Sequence, residues 1–164
     1  MRLTWRGVPD RPDLPAFGLA FALDPRLCHV RYFGLGPEEN YVDRCEGAVL
    51  GWHEYDSREA LTRYAKPQEC GNRRQVSILR LTDDAGHGLE VTGEGLEISV
   101  PPYLPEELAA ARHADELTAC RTVLDVAAFR KGVGGDDSWG APVLPQFTYP
   151  SDRDYTLAFT LRGI

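Results

Sequence analysis

The stretch Gly132–Val143 reads GVGGDDSWGAPV. It sets Gly134, Gly135, two aspartates (Asp136 and Asp137) and Ser138 directly ahead of Trp139. Two chemistries use such residues. Paired carboxyl groups cleave glycosidic bonds when they stand about 5–9.5 Å apart on opposite sides of one sugar bond. Asp136 and Asp137 are chain neighbours, so in extended backbone they point to opposite faces and do not grip one bond from both sides. Their type suits another task, accepting hydrogen bonds from turn amides around Gly134 and Gly135. An indole carried on a glycine-rich loop offers the C–H face of a sugar a flat apolar plate. The same indole could fold back and cap the core, and the residues alone leave both readings open.

Other stretches carry titratable groups. GPEENYVDR supplies Glu38, Glu39, Asn40, Asp43 and Arg44. It reads either as a carboxylate site or as a turn locked by its own side chains, with Arg44 paired to an acid; the second is expected. His113 lacks an Asp or His at an obvious partner spacing and reads as a packed or surface histidine. No serine sits in a G-x-S-x-G elbow, and no glycine-rich loop precedes a helix as a phosphate cradle would. An acid–base pair in a groove of the domain would have to be drawn from His53, His87, His113 and Glu69. The expectation is a chain without a catalytic set or a metal site of its own.

These residues hang on strands. Phe17, Leu19, Phe21 and Leu23 alternate with Gly18, Ala20 and Ala22, the period of a strand. CHVRYFG (28–34), RQVSILRLTD (74–83), CRTVLDVAAF (120–129) and RDYTLAFTLRG (153–163) read likewise. LEVTGEGLEISVPP (89–102) predicts a hairpin turning at Gly93–Gly95. GWHEYD is ambiguous, and Ser57–Asn72 reads as a connection. Leu104–Leu117 is the one helix expected: Pro105 suits its first position, Glu106 and Glu107 its positive end, and the alanines its length. The sum is an all-β, mostly antiparallel domain with one short helix, most simply a sandwich.

Composition narrows the function. The 164 residues fit one domain, and 43% hydrophobic content supports a core. A net charge of −7, with no basic cluster beyond Arg73–Arg74, argues against nucleic acid. No apolar run approaches the ~20 residues of a membrane-spanning helix. Cys28, Cys45, Cys70 and Cys120 form no C-x-x-C pair and no zinc spacing with histidine, which points to free thiols in a reducing, cytoplasmic setting.

Four blocks in order, VRYFGLGPEENYVDR (30–44), YAKPQECGNRR (64–74), PPYLPEELAAARHADEL (101–117) and GVGGDDSWGAPV (132–143), strongly resemble the C-terminal, small-chain domain of glycoside hydrolase family 2 β-galactosidases. The resemblance runs over residues 15–164, and residues 1–14 read as an N-terminal extension or boundary segment. It implies a galactose-mutarotase-like supersandwich, shortened at its N-terminal side. It also implies a partner: a catalytic (β/α)₈ barrel domain or large subunit that supplies the acid/base and nucleophile glutamates. The family's Mg and Na ions would be bound elsewhere, with no cofactor in this chain. Trp139 matches the tryptophan that the family brings to the rim of the galactoside pocket, with Gly134, Gly135, Asp136, Asp137 and Ser138 supporting its loop. The whole enzyme would hydrolyse terminal β-D-galactosides such as lactose. A sandwich lacking strands exposes edges, so self-association is expected. The alternative is a stand-alone carbohydrate-binding module using the same Trp139 plate.

Overall fold

The computed structural model describes residues 1–62 and 64–164. Eight strands form it: β1 (Arg2–Trp5), β2 (Ala16–Leu23), β3 (His29–Gly36), β4 (Val49–Asp56), β5 (Arg73–Thr82), β6 (Gly88–Ser99), β7 (Thr122–Arg130) and β8 (Tyr155–Gly163). Every pairing among them is antiparallel. The all-β expectation holds.

The long strand β6 organises the sheet. One edge pairs with β5, and the main path runs β1-β8-β6-β5-β3-β4. The other edge is shared: Leu89–Gly93 pair with β8, and Glu97–Ser99 pair with β7, which in turn carries β2. The sheet therefore forks at β6, and its arms meet across one core. Phe21 of β2 packs edge-to-face on Phe159 of β8, with ring centroids 6.5 Å apart. Tyr32, Val76, Leu79, Leu81, Val91, Leu96, Ile98, Leu124, Val126 and Leu157 fill the space between. Alternation predicted from Tyr155 to Leu161 is realised, with Leu157 and Phe159 buried and Thr156, Ala158 and Thr160 exposed.

Two details differ from the sequence reading. Gly93–Gly95 does not turn a hairpin. Thr92 pairs with Ile78 and Leu96 with Val76, so Gly93, Glu94 and Gly95 bulge opposite the single residue Ser77. Gly95 takes φ +60°, open to glycine at little cost, and the bulge lets one strand change partners without ending. The helix is also shorter than Leu104–Leu117. α1 spans Pro105–Ala110, and a separate 3-10 turn covers Ala114–Glu116. Ala111 is extended and buried, and the Glu116 carboxylate accepts from the Arg112 N–H at 3.0 Å. Burial of Ala111 in extended backbone and the local Arg112–Glu116 bond thus replace the helix that AAARHADEL favours by propensity. Residues 1–14, read as an extension, lie along the rest of the fold: β1 pairs with β8, and the Val8 and Leu14 amides donate to Ser151 and Tyr149 carbonyls. The ambiguous GWHEYD becomes part of β4. The connection from Ser57 to Asn72 begins with a 3-10 turn at Ser57–Glu59 and contains Arg63, which lies outside the described residues.

Candidate functional site

The site is built where β7 ends. Its last residue, Arg130, leads into a loop that returns through Tyr149 before β8 begins. The feet of this loop are clamped together. Phe129 and Tyr149 stack with ring centroids 3.9 Å apart, and Tyr155 meets Phe129 edge-on at 4.7 Å. The Gly132 N–H donates to the Phe147 carbonyl at 3.0 Å. Close feet with a free crown define a compact Ω-type loop.

Trp139 sits at the crown and is 93% exposed. It caps no core, so the folded-back reading of the indole does not describe this structure. The crown's shape comes from Asp137, whose Oδ1 accepts from the Trp139 N–H at 2.8 Å and the Ala141 N–H at 3.1 Å. These amide bonds, Ala141 first and Trp139 second, hold its carboxyl below the ordinary Asp range. Gly134, Gly135 and Gly140 have φ of +67°, +90° and +83°, backbone that a β-carbon would strain. Asp136 and Ser138 are exposed beside them. Asp137 thus acts on backbone amides, those of Trp139 and Ala141, while the Gly134 amide that was expected to meet these aspartates donates to Asp43 instead.

The GPEENYVDR loop lies against the crown's base. It lines a cleft of about 500 Å³ with Gly36, Glu39, Asp43, Arg44 and Gly47 among its walls. Glu39 is the loop's organiser. Its carboxylate accepts from Arg44 (2.6 Å), Thr62 (2.9 Å), the Gly71 N–H (2.6 Å) and the Tyr64 hydroxyl. Burial pushes the Glu39 carboxyl up, but those bonds and the Arg44 charge outweigh it and leave it below its ordinary range. The expected Arg44–acid pair is therefore present, as one member of a larger set.

Behind both loops runs a buried polar chain. Asn40 is pinned from both sides: its N–H donates to the Asn72 carbonyl, and its Oδ1 accepts from the Arg74 N–H. Asn72, fully buried, donates through Nδ2 to the Asn40 carbonyl (2.9 Å) and to Glu97 (3.0 Å). Its Oδ1 accepts from Arg130 Nε at 3.1 Å. Arg74 Nε closes on Glu97 at 3.1 Å. Arg130 meets Asp125 at 2.8 Å, an ion pair without hydrogen-bond alignment, and Glu69 at 3.5 Å. Burial raises the Glu97 carboxyl despite the Arg74 and Arg130 cations. Asn72, Glu97, Asp125 and Arg130 did not stand out from the sequence. The available signal was an arginine ending the apolar run TVLDVAAFR, and Asn72 within the quoted YAKPQECGNRR.

Other clusters are otherwise engaged. Cys28, His29 and Asp56 bring donor atoms within 4.8 Å of one another. Both Asp56 oxygens, however, receive Arg58, burial pushes the Cys28 thiol up, and His29 pairs with Asp84. His53 sits on β4 bonded to the Val49 carbonyl, His87 in the β5–β6 turn, and His113 ahead of the 3-10 turn at Ala114. Glu69 meets Tyr41 and Arg130 instead of a histidine. The four cysteines are free, and no helix among the described residues is long and apolar enough to cross a membrane.

Fold and loop together define a class: an antiparallel β domain that displays one aromatic plate on a braced, glycine-rich loop. The family model described as "Beta galactosidase small chain" matches residues 1–161, and the chain belongs to that family. It is 39% identical over 162 residues to a β-galactosidase of Halalkalibacterium halodurans, covering 97% of this chain and 16% of that protein. With a β-galactosidase of Lactobacillus delbrueckii subsp. bulgaricus it shares 42% over 160 residues, covering 96% and 16%. With a β-galactosidase small subunit of Latilactobacillus sakei it shares 34% over 172 residues, covering 97% and 54%. The chain thus spans a minor part of the β-galactosidases and about half of the small subunit.

Proposed function

We propose that this chain completes the active-site rim of a cytoplasmic β-galactosidase, with Trp139 as its substrate-binding residue. The catalytic carboxylates belong to a (β/α)₈ barrel on a partner domain or large subunit. The observation that carries the reading is the exposed Trp139 on a loop whose feet, crown and base are each fixed. Leaving a large indole in water forgoes about 2–3 kcal/mol of burial, which contact with a ligand surface would recover. A sugar's C–H face, presented by a terminal β-D-galactoside such as lactose, fits a flat plate of that kind. The name of the Latilactobacillus sakei relative, a small subunit, supports a larger partner for this chain too.

The test is reconstitution. The purified chain should turn over no chromogenic β-galactoside. Mixing it with the barrel-bearing part of the same enzyme should restore hydrolysis. Turnover that survives repurification and tracks with the isolated chain would contradict the reading.

A further inference from the structure

We propose that Asp43 is the positioning residue of the Trp139 loop, joining the GPEENYVDR and GVGGDDSW motifs into one device. The assignment rests on the proposed role of Trp139. Asp43 Oδ2 accepts from the Gly134 N–H at 2.7 Å, across a separation of 91 residues. A β-carbon on Gly132 would lie 2.5 Å from the same oxygen and 2.9 Å from Val143 Cγ1, so glycine is needed there for the carboxylate to approach. Asp43 Oδ1 is buried without a hydrogen-bond partner among the described residues. One oxygen of a part-buried carboxylate left without a partner is a costly way to fill space. Its gain is the one amide it holds, at the point where the backbone enters positive φ and turns toward the crown.

The geometry divides the labour between two aspartates. Asp137 shapes the crown from within the loop, while Asp43 sets the direction in which the loop leaves the domain. Asp43 is itself held in place. Its neighbours Asn40 and Arg44 are fixed by Asn72, Arg74 and Glu39, and Arg130, two residues before Gly132, is fixed by the same Asn72. Both sides of the Asp43–Gly134 contact therefore start from one buried frame. A displacement of that frame reaches the indole through the backbone after Arg130 and through the one side-chain hydrogen bond from Asp43.

The experiment uses the full chain, labelled with ¹⁵N. Asp43→Ala should lower hydrogen-exchange protection at the Gly134 amide about 10- to 150-fold, the factor expected for one charge-assisted bond. It should also lower the heteronuclear NOE of the Trp139 indole N–H. Asp43→Asn keeps an acceptor oxygen and should restore both. Gly132→Ala pushes the carboxylate away and should reproduce the loosening with Asp43 intact. In the assembled enzyme, Asp43→Ala should raise KM for lactose, but add nothing in a Trp139→Ala background, because it acts through the indole. Unchanged Gly134 protection and indole order in folded Asp43→Ala chain would overturn the assignment. So would an additive effect in the double variant. If the loop loosens as described while Trp139→Ala leaves every KM unchanged, the Asp43 assignment stands and the rim reading of Trp139 falls.

Discussion

Asn72→Ala removes the residue that ties three segments together. The side chain is fully buried, and its loss deletes three hydrogen bonds at once. One goes to a neutral carbonyl, worth about 1 kcal/mol, and two go to charged partners, worth about 1.5–3 kcal/mol each. Alanine supplies no replacement, so the Asn40 carbonyl, Glu97 and Arg130 Nε each lose a partner in a buried setting. The expected destabilisation is about 4–7 kcal/mol, a large share of the roughly 5–15 kcal/mol that holds a domain. For a chain of this size that lowers Tm by about 10–25 °C. Urea unfolding at low temperature, followed by circular dichroism, measures it. Asn72→Asp adds a pH signature. Its new carboxylate would stand about 3 Å from Glu97 by analogy with paired acids, so one of the two must keep a proton. The folded pKa is then raised above the unfolded value, and stability is lost as pH rises through it. Asn72→Asp should therefore be more stable at pH 5 than at pH 8, relative to wild type. A cost below about 1.5 kcal/mol for Asn72→Ala, or no pH trend for Asn72→Asp, would refute the frame argument.

Asp137 predicts a second pH effect. Its carboxyl is held below the ordinary Asp range by its amide bonds, so its bonds to Ala141 and Trp139 should persist as pH falls through that range and be lost only below it. NMR order of the Trp139 amide against pH reads this, and Asp137→Ala should show the disordered value at every pH. Leu124→Ala, at a fully buried position in the core shared by both arms of the sheet, should cost about 2–5 kcal/mol in urea unfolding with little change in slope.

Much of the strand content was legible because period-two alternation survives wherever one face is buried. Tyr155–Leu161 and Phe17–Leu23 are clear cases. The Gly93–Gly95 bulge was not legible as such. Two glycines around a polar residue serve a hairpin and a bulge equally well, and only the ladder from β5 decides between them. Likewise AAARHADEL favours helix locally, yet Ala111 is drawn into buried, extended backbone that propensity does not encode. The site divides in the same way. Trp139 and its glycines announced themselves by residue type, because an indole after GGDDS suits no alternating strand. Asn72 and Arg130 did not, and Asp43 showed only as one acid of GPEENYVDR, since the partners of Asp43, Asn72 and Arg130 lie 91, 25 and 58 residues away in contacts that only the folded chain creates.

The central claim is that Trp139 forms part of the sugar site of an assembled β-galactosidase. The measurement is kcat and KM for lactose and for an aryl β-galactoside, wild type against Trp139→Ala, in the enzyme that contains this chain. One stacked contact is worth about 1–3 kcal/mol by analogy with other aromatic platforms, so KM for lactose should rise about 5- to 150-fold. Hydrolysis of the bound aryl galactoside should fall much less, because an indole in the proposed rim position would bind ground state and transition state alike. The variant chain should keep the wild-type melting temperature, since an indole exposed to this degree supports no core. Unchanged KM for both substrates, or a loss explained by a fall in Tm, would contradict the account.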